Sequence, residues 1–189
     1  SCKDYDFRIF AAGITPLLEG EEMKVSAAGF KGGDRTDIEL PAVQRNVLAA
    51  LKKAGKKVIF VNFSGSAMAL TPETENCDAI LQAWYPGQEG GTAVADVLFG
   101  DYNPAGRLPV TFYKNMEQLP DFEDYSMQGR TYRYMKEAPL FPFGYGLSYT
   151  TFTYGKARAD KKRISTGEKM TLTIPVSNIG SRDCEEVVQ

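Results

Sequence analysis

Residues 57–63 read KVIFVNF, a run that is mostly apolar and rich in β-branched side chains. A strand with one face in water alternates apolar and polar residues, so an apolar run of this kind is typical of a strand covered on both faces. Such strands belong to parallel sheets, whose neighbouring strands are joined by helix-length connections. Residues 57–63 therefore favour an α/β fold in which helices cover a central sheet.

The segments on either side supply the other strands and the helices that such a sheet needs. Strands are predicted at residues 7–12 (FRIFAA) and 79–84 (AILQAW). One helix is predicted between Pro41, which suits a first helical turn, and Gly55, which suits a helix end. A second helix is predicted at residues 91–99. The apolar residues at helical spacing are Val43, Val47, Leu48 and Leu51 in the first helix, and Val94, Val97 and Leu98 in the second.

The order of these elements predicts two domains. Strand, helix, strand, strand and helix indicate a three-layer α/β/α sandwich with a mainly parallel sheet over residues 1–150, of which residues from about 115 to 150 form an irregular aromatic linker. Beyond it, residues 170–176 alternate as a strand, 177–181 suit a turn and 185–189 predict another strand. Because a strand that stops with its chain lacks a partner, residues 151–189 are expected to be the first strands of a truncated β-sandwich.

The composition narrows the possible chemistry. The chain of 189 residues contains no histidine, which excludes Ser-His-Asp and Cys-His catalysis and leaves acid–base chemistry mainly to carboxyl groups. The net charge of −2 argues against nucleic acid as a partner, and no apolar run approaches the roughly 20 residues of a membrane span. The cysteines Cys2, Cys77 and Cys184 lack CxxC spacing, which favours unpaired thiols over a metal site or a disulfide framework.

Three motifs invite a functional interpretation, and each has a simpler one. Residues 87–91 (GQEGG) lack the phosphate-binding spacings, which disfavours a nucleotide-binding protein and favours close packing of a helix on a strand. Ser64-Gly65-Ser66 follows a strand without a GxSxG motif, so a tight turn is favoured over a serine nucleophile. Trp84, at a strand end, is predicted to belong to the core or a domain interface rather than to stack on a sugar.

Residues 13 to about 40 form a long predicted loop that contains the acidic cluster Glu19-Gly20-Glu21-Glu22. Loops longer than roughly 15 residues are uncommon in compact domains unless they are functional. Three carboxyl groups this close repel one another when ionised, which tends to raise the pKa of at least one. A carboxylic acid that keeps its proton near neutral pH is what a glycosidase needs to protonate its leaving group. From the residues alone, however, a solvated charged loop is the favoured interpretation.

Two long motifs carry a family resemblance: AWYPGQEGGTAVADVLFGDYNPAGRLPVTF at residues 83–112 and FGYGLSYTTF at residues 143–152. They resemble the carboxyl-terminal half of the glycoside hydrolase family 3 β-glycosidases. The resemblance implies an α/β sandwich followed by the start of a fibronectin type III-like domain, in a periplasmic or extracellular protein. It implies a retaining, exo-acting enzyme that removes terminal β-linked xylose or glucose from plant-type oligosaccharides or aryl β-glycosides without a cofactor. An N-terminal barrel of the same polypeptide would supply the aspartate nucleophile.

The resemblance also implies candidate site residues. In that family the acid/base glutamate lies upstream of an Asp-Arg pair and an apolar-Leu-Pro run, as Leu18-Glu19-Gly20-Glu21 here lies upstream of Gly33-Asp34-Arg35 and Ile38-Glu39-Leu40-Pro41. Glu21 is then the first candidate for the acid/base. Glu19 is the second, either as the acid itself or as a neighbour that tunes it or contacts sugar.

Two further points stay open at this stage. Residues 23–32 are inserted relative to the commonest family pattern, which leaves the choice between the two glutamates open. Asp34 and Arg35 either bind sugar or form an internal ion pair that shapes the loop, and the ion pair is favoured. The alternative function is a non-catalytic carbohydrate-binding or scaffold module of the same fold, which would have lost the chemistry.

Overall fold

The computed structural model describes residues 5–20 and 22–189, which form two compact units. The first unit runs to Val94 and includes Leu108–Tyr145, and the second consists of Ala95–Arg107 and Gly146–Gln189. The strands are β1 (Phe7–Gly13), β2 (Phe30–Lys31), β3 (Asp34–Arg35), β4 (Lys57–Phe63), β5 (Ala79–Gln82), β6 (Phe152–Tyr154), β7 (Arg158–Ala159), β8 (Leu172–Thr173) and β9 (Val176–Asn178). The helices are α1 (Ala42–Lys53), α2 (Thr71–Asn76), α3 (Gly90–Phe99) and α4 (Thr131–Tyr134), with a 3₁₀ turn at Met116–Gln118. Among the described residues, no helix has the length and apolar character needed to cross a membrane.

A three-stranded parallel sheet organises the first unit. Its order is β1-β4-β5, so the strand predicted from the apolar run at residues 57–63 lies in the centre. Gly13 pairs with Phe63 and Asn62 pairs with Gln82, which places the carboxyl ends of all three strands at one edge. The three predicted strands and the parallel sheet are confirmed, although the third strand ends at Gln82 rather than at residue 84. The α/β fold class is therefore confirmed.

Both predicted helices are confirmed as α1 and α3, but α2 was not predicted. This helix has six residues, TPETEN, and lacks any apolar periodicity. Its buried residue is a carboxylate, Glu73, which receives two hydrogen bonds from Arg45 of α1. The helix is therefore held by a polar pair, Arg45 and Glu73, and not by apolar contacts, which a sequence pattern would have revealed.

Only part of the apolar face predicted for α1 is buried. Leu48 is fully buried, but Val43 is 71% exposed and Val47 is 41% exposed. The helix instead turns Gln44 towards β1 and Arg45 towards α2, where both make hydrogen bonds. Satisfying these polar contacts rotates the two valines away from the sheet.

The core of the first unit lies between the sheet, α1 and the strand-like segment that contains Phe112. Its buried residues are Ile14, Leu40, Leu48, Val58, Phe60, Met68, Leu70, Cys77 and Phe112. Trp84 packs against this cluster, edge-on to Phe112 with 6.0 Å between ring centroids, as the core interpretation predicted. Burial raises the pKa of the Cys77 thiol to about 11. Cys77 and Cys184 are free thiols, and Cys2 lies outside the described residues.

The second unit contains two antiparallel strand pairs, β6–β9 and β7–β8. The strand predicted at residues 170–176 is divided between β8 and β9, and β9 continues to Asn178 into the predicted turn. Residues 185–189, which were predicted to be a strand without a partner, are not a strand in the described structure. Side chains fix it instead: Tyr102 donates a hydrogen bond to Glu185, and Arg107 forms an ion pair with Glu186 at 2.6 Å.

Candidate active site

The candidate site lies at the carboxyl edge of the parallel sheet, where open α/β sheets generally bind their ligands. Three loops leave the strands at this edge. The loop after β1 contains the acidic cluster, the loop after β4 contains Ser64 and Ser66, and the loop after β5 contains Trp84 and Tyr85. Because the three strands are parallel and in register, loops that are distant in sequence begin side by side.

The start of the acidic loop is fixed at Gly13. The backbone there has a φ of +134°, and an added Cβ would lie 1.9 Å from the Phe63 carbonyl oxygen, so a larger residue does not fit. The side-chain amide of Gln44 accepts a hydrogen bond from the Gly13 N–H at 2.9 Å and donates one to its carbonyl at 2.7 Å. The loop therefore departs from β1 in one direction, set by α1 and β4.

Backbone contacts also fix the chain around the glutamates. Gly20 N–H donates to the Gly33 carbonyl at 3.1 Å, and Met23 N–H donates to the Gly32 carbonyl at 2.8 Å. Glu21, the first candidate for the acid/base, lies outside the described residues. Glu22 is exposed and has a φ of +52°. The chain before and after Glu21 is thus tied to the same Gly32–Gly33 segment.

Gly33 offers a direct test of how tightly this loop is held. We expect Gly33→Ala to lower the free energy of unfolding of the first unit by about 2–3 kcal/mol, because left-handed strain and overpacking add. The φ is +93°, and the new Cβ would lie 1.5 Å from the Gly20 carbonyl oxygen. Urea unfolding followed by the fluorescence of Trp84, the single tryptophan, measures this unit.

Gly32→Ala is the matched control for this prediction. Gly32 also has a positive φ, +64°, but an added Cβ would have no heavy atom within 4 Å. Its cost should therefore be the conformational strain alone, about 1 kcal/mol. Equal losses in the two variants would show that the contact between Gly33 and Gly20 does not constrain the loop.

Glu19, the second candidate, is held by its neighbours. Its Oε1 atom accepts a hydrogen bond from the Ser66 hydroxyl at 3.2 Å and lies 4.0 Å from Nε of Arg35. The Glu19 and Arg35 side chains are only 25% and 11% exposed. Their attraction is therefore less weakened by water than that of a surface pair.

Arg35 links the acidic loop to the loop after β4. Its Nη1 atom donates to the Ser66 hydroxyl at 2.8 Å and to the Ala67 carbonyl at 3.0 Å, while Nε donates to the Asp37 carbonyl at 3.2 Å. Burial lowers the pKa of this guanidinium, and the nearby Glu19 and Asp37 carboxylates oppose that effect. The buried Nη2 atom has no hydrogen-bond acceptor within the described part of the chain. Asp34, by contrast, is exposed.

Ser64 belongs to a tight turn, as predicted. Its hydroxyl donates to the Ser66 carbonyl at 2.9 Å and accepts a hydrogen bond from Gln82 at 3.0 Å. Asn62 donates to Gln82 at 2.6 Å across β4 and β5. This arrangement uses the Ser64 hydroxyl for structure. The signal for it in the sequence was a pair of polar residues, Asn62 and Gln82, at the ends of otherwise apolar strands.

Ser66 and Tyr85 are the site residues that sequence reasoning missed as Glu19 partners. Tyr85 lies against the turn after β4, where a Cβ added to Gly65 would be 2.7 Å from the tyrosine ring. Burial, and next the Glu19 carboxylate, raise the pKa of the Tyr85 hydroxyl. Both residues lie in motifs that the sequence shows, but no motif predicts that they lie near Glu19, because that depends on the register of strands that are far apart in sequence.

The sequence of this chain is similar to those of known proteins. Residues 1–149 match the family model of the glycosyl hydrolase family 3 C-terminal domain. The chain is 67% identical over 181 residues to a xylan 1,4-beta-xylosidase of Xylanibacter ruminicola, a match that covers 96% of this chain and 21% of that protein. It is 42% identical over 190 residues to a periplasmic beta-glucosidase of Salmonella typhimurium, covering 94% of this chain and 24% of that protein.

A solved structure is similar as well. A β-glucosidase of Erythrobacter marinus matches with a TM-score of 0.79 and 39% sequence identity, over 95% of this chain and 24% of that chain. The present chain thus spans between a fifth and a quarter of the length of these relatives.

Proposed function

This chain belongs to glycosyl hydrolase family 3, and we propose that it supplies the acid/base loop of a retaining, exo-acting β-glycosidase. The observation that supports the proposal is the acidic loop held at the carboxyl edge of the parallel sheet by Gly20, Gly33 and Arg35. A retaining glycosidase needs two carboxyl groups about 5–5.5 Å apart. We assign the second one, an aspartate nucleophile, to an N-terminal barrel of the same polypeptide.

In the proposed reaction the barrel aspartate attacks the anomeric carbon, and the bond to the leaving oxygen breaks. Glu21 donates its proton to that oxygen, so the aglycone leaves as a neutral alcohol. Glu21 then takes a proton from water, and the resulting hydroxide displaces the aspartate from the sugar. No cofactor is needed for either step, since each is a proton transfer coupled to a displacement at carbon.

We favour Glu21 over Glu19 for this role because the Glu19 carboxylate is already engaged. Ser66 donates a hydrogen bond to it, and Arg35 is nearby. The Glu19 side chain is also three-quarters covered, at 25% exposure. A group that must meet a substrate oxygen and then a water needs more freedom of access, so Glu19 acts as a neighbour that positions the loop. Arg35 shapes the same loop, and we assign its Nη2 atom, which has no acceptor among the described residues, to an oxygen of the loop or of a sugar. Asp34 is a weaker candidate for sugar contact.

Terminal β-linked xylose is the first candidate substrate and glucose the second, on oligosaccharides or aryl β-glycosides. The order follows the relatives, since the xylosidase is more similar to this chain than the glucosidase. A periplasmic or extracellular location is proposed from the name of the Salmonella relative. We further propose that residues 1–150 form the sandwich domain, because the family match ends at residue 149. Residues 151–189 would then begin a fibronectin type III-like domain.

The proposal predicts that this 189-residue chain has no turnover by itself. Purified alone, it should release no nitrophenol from 4-nitrophenyl β-xyloside or β-glucoside, because one of the two carboxyl groups is absent. The polypeptide that also contains the barrel should hydrolyse at least one of them. Release of nitrophenol, followed by absorbance at matched protein concentrations, compares the two.

Two outcomes would overturn this proposal. Steady hydrolysis by the chain alone would show that the site is complete without a barrel. A longer polypeptide that binds xylose or glucose but hydrolyses neither glycoside would instead support the non-catalytic carbohydrate-binding module.

A further inference from the structure

Two loops and strand β3 meet around the Glu19 carboxylate. The loop after β4 contributes the Ser66 hydroxyl, which donates to Oε1 at 3.2 Å, and β3 contributes Arg35. The loop after β5 contributes Tyr85, whose ring lies against Gly65, the residue before Ser66. Burial, and next the Glu19 carboxylate, raise the pKa of the Tyr85 hydroxyl. The Ser66 hydroxyl itself receives a hydrogen bond from Arg35 at 2.8 Å, so its proton is directed towards Glu19.

The backbone before Tyr85 has an unusual conformation that supports a specific role for this side chain. Trp84 has a φ of +56°, in the left-handed region that large side chains rarely adopt. Its ring packs in the core against Phe112, so the left-handed turn directs the next side chain out of the core. Gly65 leaves the space that the Tyr85 ring occupies. Strain of this kind persists only where the surroundings enforce it.

We propose that Ser66 and Tyr85 are positioning residues that hold the Glu19 carboxylate and thereby fix the backbone that leads into Glu21. This inference rests on the proposed function, because it assigns the proton transfer to Glu21. Neither hydroxyl exchanges a proton with the substrate. Their effect is to fix, through Glu19, the segment that ends at Gly20, whose N–H is bound to Gly33.

The dependence of kcat/KM on the leaving group tests this role, because a residue with a merely structural role would affect all substrates equally. A phenyl glycoside has a poor leaving group and needs the proton from Glu21, whereas a 2,4-dinitrophenyl glycoside leaves as a stable anion without it. In the full-length enzyme, Ser66→Ala should lower kcat/KM for the phenyl glycoside roughly tenfold, since its hydrogen bond to the charged Glu19 is lost. Tyr85→Phe should lower the same value by a smaller factor, since it removes a hydroxyl beside that carboxylate. The value for the dinitrophenyl glycoside should change by less than about twofold.

Ser64→Ala is the matched control on the same turn. Its hydroxyl binds the Ser66 carbonyl and Gln82 rather than Glu19, so its loss should lower Tm and change both substrates equally. Equal losses on both substrates in Ser66→Ala and Tyr85→Phe, or no loss in either, would overturn the positioning role.

The failure of this inference is distinguishable from the failure of the proposed function. If Glu21→Ala loses activity selectively on the phenyl glycoside while Ser66→Ala and Tyr85→Phe do not, only the positioning role is wrong. If Glu21→Ala shows no such selectivity, then Glu21 is not the acid and the proposed function itself is wrong.

Discussion

Replacing Glu21 with alanine in the full-length enzyme should lower kcat/KM for a phenyl β-glycoside by about a thousandfold. Positioned general acid–base groups typically contribute between about 10² and 10⁴ to a rate, and this residue is proposed to serve in both steps. Without it, the leaving oxygen must depart as an anion and the water must attack without a base. Steady-state kinetics on phenyl and dinitrophenyl glycosides measure the first of these effects.

Azide tests the second effect. A small anion that enters the space left by the missing carboxylate attacks the glycosyl-enzyme directly and needs no base, so it should restore turnover of the dinitrophenyl glycoside. The product should then be a β-glycosyl azide, because two displacements at the anomeric carbon retain its configuration. Detection of that azide by mass spectrometry and NMR would tie the lost function to the base at this position.

Glu19 and Glu22 provide the comparisons that make the assignment specific. Glu19→Ala should lose roughly tenfold on the phenyl glycoside without forming a glycosyl azide, since it removes the group that Ser66 and Arg35 hold. Glu22→Gln should retain activity within about twofold, because Glu22 is exposed and the substitution keeps its size. Azide rescue in Glu19→Ala but not in Glu21→Ala would transfer the acid/base role to Glu19.

The parts of the fold that sequence reasoning identified are those in which a local pattern carries the information. The apolar run at residues 57–63 predicted a central parallel strand, and Gly55, whose φ is +67°, ends α1 as expected. Helix α2 was not predictable in this way, because its buried residue is the charged Glu73 and the partner lies 28 residues earlier in α1. Polar contacts of this kind do not produce a periodic pattern of apolar residues in the sequence.

In the candidate site, too, residues of a local motif were predicted and contacts between distant segments were not. The glutamates and Arg35 form a local motif and were predicted as candidates, although Glu21 lies outside the described residues. Ser66 and Tyr85 were not predicted as partners of Glu19, because Ser66 is 47 residues away and both contacts require the register of β1, β4 and β5. A sequence pattern shows which residues leave a sheet edge, but three-dimensional register decides which of them meet.

The pair formed by Arg45 and Glu73 carries the largest stability effect that we expect in this chain. Nε and Nη2 of Arg45 donate to the two oxygens of Glu73 at 2.7 and 3.0 Å, and the Glu73 side chain is fully buried. Burial by itself lowers the pKa of the guanidinium, but the hydrogen bonds to Glu73 and Glu39, together with the charges of these carboxylates, outweigh burial and leave that pKa raised. The same guanidinium contacts Glu39 at 2.8 Å, and so joins α1 and α2 to the end of the acidic loop.

Arg45→Met should therefore lower the free energy of unfolding of the first unit by about 3–5 kcal/mol, because it leaves a fully buried carboxylate without its cation. Urea unfolding followed by Trp84 fluorescence measures the change, as for the glycine variants. Adding Glu73→Met should recover at least half of the loss, since an apolar pair of similar size removes the uncompensated charge. A double variant whose loss equals the sum of the two single losses would show that the residues do not act as a pair, and that α2 is held in place by its other contacts.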